Sequence, residues 1–246
     1  MTTRENIQEL NDHLQAFPKA EDIFTKDQQW LKNHFIPLMS IDLVEINPKW
    51  AGQKVYILFL LESYGCYIVK NENKYHNEYT APNWFAFQLT GDNKFDFLGE
   101  ERFFERTAIH HWDFNSEEER KIQEYREYIR EDNLTIEKKE GIFQINYINY
   151  DGKLFNIRLF NNLDENMAFH NWSKNFDKNI CPKKFHMEKE KKGKTDETKV
   201  NISYKGNPFY FITSMSSHNL YGDNIDAIIM FYEPVSRIVL FTFDYS

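Results

Sequence analysis

Three runs near the C-terminus, Phe209-Tyr210-Phe211-Ile212-Thr213, Ala227-Ile228-Ile229-Met230-Phe231-Tyr232 and Ile238-Val239-Leu240-Phe241-Thr242-Phe243, decide how this chain folds. Each is short, apolar, and rich in β-branched and aromatic residues. A polar break separates the first two, and Glu233-Pro234 turns the second into the third. Such runs, bounded by turn residues, predict buried strands of one sheet. Working back along the chain, Val55-Tyr56-Ile57-Leu58-Phe59-Leu60-Leu61 lies between Gly52 and Gly65 and reads as a strand covered on both faces. Trp84 to Leu89 predicts a further strand, followed by the turn Gly91-Asp92-Asn93 and the alternating Phe95 and Phe97. Asp151-Gly152, set between Ile142–Tyr147 and Leu154–Leu159, is a hairpin signal because this pair tolerates the positive φ that tight turns need.

Helical spacing is read in three places. Ile7, Leu10 and Leu14 predict a helix over Ile7–Ala16, and Trp30, Leu31, His34 and Phe35 one over Gln28–Ile36 with Pro37 at its end. Ser116 before Glu117-Glu118-Glu119 is a third start: the hydroxyl caps free amides and the carboxylates suit the positive end of the dipole. Ile122, Tyr125 and Ile129 carry this helix, Glu117–Arg130, forward. Asp164 is read as the cap of a short helix bearing Met167, Phe169, Trp172 and Phe176. Residues 187–199, with five Lys and four acids, predict a charged flexible loop. The expected architecture is a single α+β domain over residues 1–246, with a mainly antiparallel central sheet and flanking helices.

The composition bounds the function. Of 246 residues, 41% are hydrophobic and 17% aromatic, enough for a substantial core. The formal charge of −8 disfavours nucleic-acid backbones and anionic membranes as partners. No apolar run approaches the roughly 20 residues that span a bilayer, and the polar N-terminus lacks a signal core, so a cytoplasmic protein is expected. Abundant Asn, Lys, Ile, Phe and Tyr with nine Gly suggest an AT-rich bacterial genome. Cys66 and Cys181 stand alone, outside any Cys-x-x-Cys pair, and read as free thiols.

Catalytic and metal signals are thin. His110-His111-Trp112-Asp113 is the densest cluster, but neighbouring residues of a regular element face different ways and do not chelate together. Cys181 and His186 supply two ligands where a structural zinc needs four. No nucleophile elbow, phosphate-binding glycine loop or His-Glu-x-x-His occurs, so neither a cofactor nor a metal is expected. Lys178 to Phe185 interleaves basic and apolar residues in the manner of a nucleic-acid contact, in a chain whose net charge opposes one.

Charge is unevenly placed. Residues 92–140 hold 15 acidic and nine basic side chains, a net of −6. Glu117, Glu118, Glu119, Glu124 and Glu127, with Tyr125 and Tyr128 as aromatic anchors, are the candidate partner-binding residues.

Tyr204-Lys205-Gly206-Asn207-Pro208-Phe209-Tyr210-Phe211-Ile212, then Ile228-Ile229-Met230-Phe231-Tyr232-Glu233-Pro234, then Phe241-Thr242-Phe243-Asp244-Tyr245-Ser246 resemble the closing strands of YwqG-like bacterial proteins. The likeness covers about 45 residues and departs where Thr213 and Ser214 replace the glutamine-centred strand usual there. It implies a non-enzymatic α+β domain, some members being immunity proteins encoded beside toxins, and transfers no catalytic residue. The expected function is a binding protein that neutralises a toxin, a basic one, by direct contact. The alternatives are an enzyme with a His110/His111/Asp113 site and a structural or interaction protein.

Overall fold

The computed structural model describes residues 12–16, 18–60, 75–104, 135–139, 142–148, 154–158, 167–169, 181–191, 198–216 and 227–244. Its centre is a five-stranded antiparallel sheet. β4 (Trp84–Leu89), β5 (Phe95–Phe97), β13 (Tyr210–Ser216), β14 (Ala227–Glu233) and β15 (Ile238–Asp244) pair in the order β13-β14-β15-β4-β5. The register sets Met230 opposite Phe241 and Phe241 opposite Phe85. Side chains alternate across a sheet. Phe85, Phe87, Met230, Tyr232, Val239 and Phe241 therefore enter one core, while Trp84, Ala86, Ile229, Phe231, Ile238 and Leu240 enter another. Both faces being covered, the strands are apolar at most positions, with Thr213, Glu233 and Thr242 as buried polar exceptions.

The first core lies against a three-stranded sheet of β1 (Leu14–Ala16), β2 (Phe35–Asp42) and β3 (Lys54–Leu60). It is dominated by rings. Phe85 stacks on Phe241 at 5.3 Å and meets Phe35 at 5.4 Å, and Phe87 stacks on Phe95 at 4.8 Å. The second core lies under β9 (Met167–Phe169), β10 (His186–Lys191), β11 (Thr198–Tyr204) and β12 (Asn207–Pro208), with β11 pairing the other three. Met187, Val200, Ile202 and Tyr204 point into it. A further sheet, β6 (Thr135–Lys139), β7 (Ile142–Ile148) and β8 (Leu154–Arg158), contains the expected hairpin strands, which pair antiparallel.

The expected α+β class is overturned. Both layers packed on the central sheet are themselves sheets, and the described residues are nearly all β. The α-helix α1 (Ala20–Ile23) has four residues. Leu14–Ala16, the described end of the expected first helix, is strand β1. Lys26–Asn33 is a 3₁₀ helix broken at Gln28, and Phe35 and Ile36 begin β2. Every residue from Phe35 to Ile41 is buried, so Phe35 and Ile36, the end of the expected helix, open a continuous apolar run, which over so short a window reads equally as strand. Pro37 lies inside β2, where the register shifts between Pro37 and Met39, as a residue without an N–H requires. Met167–Phe169, expected in a helix, is strand β9. Within 187–199, expected as a loop, residues 187–191 and 198–199 are the paired strands β10 and β11.

Gln28 shows why the second helix breaks. Its side-chain amide donates to the Phe97 carbonyl at 3.0 Å and accepts from the Phe97 N–H. Beside it, Thr25 N–H donates to the Phe95 carbonyl at 3.1 Å. The segment 24–28 thus closes the exposed hydrogen-bonding edge of β5, which would otherwise invite another strand.

Candidate protein-binding face

Segment 24–28, by covering β5, also assembles carboxylates. The charge of Asp27, from the first chain segment, acts on Asp96 of the β4–β5 hairpin, and those of Asp22 and Asp92 both act on Tyr56. The Asp96 carboxyl is held above the usual range by partial burial and by the charge of Asp27. Tyr56 is pushed up to about 12, first by burial and then by Asp22 and Asp92. Asp92 is exposed, and its carboxyl is held low by the Thr90 hydroxyl, which donates to it at 2.6 Å. Burial and like charge oppose ionisation, while hydrogen-bond donation favours it. This negative face can attract cations or a basic surface; it positions no nucleophile.

Asp92 and Asp96 belong to the acidic stretch read from the sequence, whereas Asp22 and Asp27 had no signal there. They lie in a stretch where Glu21 is balanced by Lys19 and Lys26, and the pairing of Phe24 with Phe95 brings them in. Glu117, Glu118, Glu119, Glu124, Tyr125, Glu127 and Tyr128 lie outside the described residues, as do His110, His111, Asp113 and Cys66. What the structure supplies is the anchorage of that stretch. Phe103 and Phe104 within it are both fully buried, and Thr135–Lys139 is strand β6.

Two histidines, of which the sequence singled out only His34 and then only for its helical spacing, pack against these rings. His34 is 3% exposed, its ring stacks on Phe104 at 4.5 Å, and its Nε2 is 3.7 Å from Glu101 Oε1. His76 meets Phe103 edge-on at 5.6 Å. Burial holds the His76 imidazole below its ordinary pKa; the Thr80 carbonyl pulls the other way, yet neither buried ring nitrogen reaches an acceptor at hydrogen-bond geometry. A neutral ring packed on phenylalanine is the consistent state. Among the described residues no group of three or more His, Cys, Asp or Glu is placed to hold a metal ion. Cys181 is a buried free thiol pushed up to about 12 by desolvation, so it is no nucleophile at neutral pH. No helix among the described residues is long and apolar enough to cross a membrane.

At the loop end of the sheet, buried polar groups brace turns. Glu233 is fully buried and accepts from Val235 N–H at 2.6 Å and Ser236 N–H at 2.8 Å. The Tyr232 hydroxyl donates to Gln53 Oε1, and Arg237 Nη2 donates to Asn93 Oδ1 at 3.1 Å. These bonds tie three turns together, and Val235 at the tip is 72% exposed.

Comparison with family models, curated proteins and solved structures finds no match to this chain.

Proposed function

We propose that this chain is a protein-binding protein of the immunity type, which captures a basic toxin domain by direct contact. The observation that carries the reading is the placement of charge. Of a formal −8, residues 92–140 hold −6, and Asp22 and Asp27 join Asp92 and Asp96 at the root of that stretch. A negative face accelerates encounter with a basic partner and discriminates against acidic ones. Glu117, Glu118, Glu119, Glu124 and Glu127 supply the charge in this reading, and Tyr125 and Tyr128 the contact area. The resemblance of the closing strands to YwqG-like proteins supports the same class.

The test is stopped-flow association with the product of the adjacent gene. Association should slow steeply with added salt and slow further in the charge-reversed Glu118→Lys/Glu124→Lys protein, by about tenfold or more in low salt. A rate indifferent to both salt and charge reversal would remove the proposal.

A further inference from the structure

A second surface carries the opposite charge. Three chain segments meet there: the turn at 77–80, the segment 181–185, and the β11–β12 turn at Lys205-Gly206. Tyr79 and Tyr204 bring their hydroxyls to 3.4 Å from one another, with ring centroids 6.4 Å apart. Phe185 packs edge-on against both, at 6.1 and 5.8 Å. The Tyr204 ring belongs to the second core, and the contact between its hydroxyl and that of Tyr79 is partly buried. Lys184 Nζ stands 5.9 Å over the Tyr79 ring and Lys205 Nζ 5.0 Å over the Tyr204 ring. Lys183 and Lys205 are exposed. One carboxylate competes: Glu78 Oε2 lies 2.8 Å from Lys184 Nζ.

We infer that this platform is an oxyanion site, taking the phosphate or sulfate group of a small anion or of a monoester. The two phenolic O–H groups lie side by side, and one ammonium group stands over each of their rings. Charge-assisted bonds from such donors are the usual means of holding a phosphate oxygen. The 3.4 Å separation of the hydroxyls is too long for a strong O–H···O bond, so each can turn to an added acceptor with little loss. Lys205 is held by a ring face and spends no carboxylate partner among the described residues. The environment responds to charge as such a site must. The Tyr204 hydroxyl is made more acidic, first by its bond to Tyr79 and then by Lys205 and Lys184, and Tyr79 is made less so. The sequence showed a trace of this surface in Lys178 to Phe185, but Tyr79 and Tyr204 are 125 residues apart and only the fold joins them. The inference is independent of toxin capture, since it uses none of the acidic residues.

The experiment is an amide-shift titration of the full chain with inorganic phosphate, against chloride at matched ionic strength. Saturable shifts are expected at residues 78–80, 183–185 and 203–206, and Lys184→Gln/Lys205→Gln should weaken binding about tenfold or more. Tyr204→Phe keeps the ring in the core and should weaken binding severalfold. A second readout uses phenolate absorbance: bound phosphate should move tyrosine ionisation at this site to higher pH, because two anions compete for the same lysines. Glycerol phosphate distinguishes the sources. Equal or tighter binding than phosphate assigns the site to an ester, and binding of phosphate alone assigns it to the free anion. Absence of saturable shifts with both probes, or shifts unchanged in the double variant, overturns the inference.

Discussion

The two cores on either side of the central sheet are built differently. Toward β1–β3, sheet meets sheet with apolar side chains at almost every position of both partners, and Phe35, Phe85, Phe87, Phe95 and Phe241 form one ring cluster. Toward β9–β12, the covering layer is apolar on one face only. Met187, Val200, Ile202 and Tyr204 point inward, while His186 and Glu188 point to solvent. The central strands look alike from both sides, but their partners do not. A strand covered twice is apolar at most positions, whereas a strand covered once can carry any charge on its outer face, and its core contribution is then spread over alternate residues.

The comparison predicts unequal sensitivity to truncation. Phe85→Ala should cost about 3–5 kcal/mol, because seven aromatic rings surround Phe85 and cannot all collapse onto the space left. Met187→Ala, at the rim of the second core, should cost about 2 kcal/mol. Urea midpoints at constant m-value measure both. Equal costs would mean that the charged layer packs as tightly as the apolar one.

Alkaline titration sharpens the loop end of the first core. Tyr232 is pushed up to about 12, mainly by burial, from an ordinary value of 10. The folded state therefore holds its proton more tightly than the unfolded one. Its contribution is complete below pH 10 and is lost as pH rises from 10 to 12, on the order of 2 kcal/mol. Tyr232→Phe should lower stability at neutral pH by about 1 kcal/mol through the lost bond to Gln53, and flatten the alkaline loss. An unchanged alkaline slope in that variant would place the titration elsewhere, with Tyr56, also about 12, as the next tyrosine to replace.

Acid probes the packing of His76 on Phe103. Because His76 is held below its ordinary value, the unfolded chain takes up its proton first. Stability should be complete above about pH 6.5 and fall as pH drops below it. His76→Phe should remove that part of the fall; an acid limb unchanged in the variant would show that other groups carry it.

The smallest effect belongs to the outer face of the second layer. Glu188→Val on β10 should shift the thermal midpoint little, since an exposed pair such as Glu188 with His186, 3.1 Å apart, is worth about 0–1 kcal/mol. It should instead raise light scattering on warming, because a charge such as that of Glu188 keeps a sheet edge from pairing with other chains. A variant as soluble as the parent would mean that the edge is covered.

The strands of the central sheet were legible because their apolar runs are continuous and end at turn residues: β4, β14 and β15 stand where Trp84–Leu89, Ala227–Tyr232 and Ile238–Phe243 predicted them. The hairpin of β10 and β11 was not, although Val200, Ile202 and Tyr204 alternate. Five lysines and four acids hid a two-residue period that carries few apolar positions. The negative face was half legible. Asp92 and Asp96 lie in a visibly acidic stretch, but Asp22 and Asp27 do not.

The sequence by itself determined that this chain buries a large aromatic core in antiparallel strands and carries most of its negative charge between residues 92 and 140. Hydrophobic runs and net charge are local sums, and they survive whatever the topology. Tertiary structure alone decided that sheets, not helices, cover the central sheet. The reason is that Phe35–Ile41 gains more by pairing with β3 over its full length than by burying one helical stripe. It alone also joined Tyr79 to Tyr204, and Asp27 to Asp96, because contact between distant residues depends on which strand edges meet.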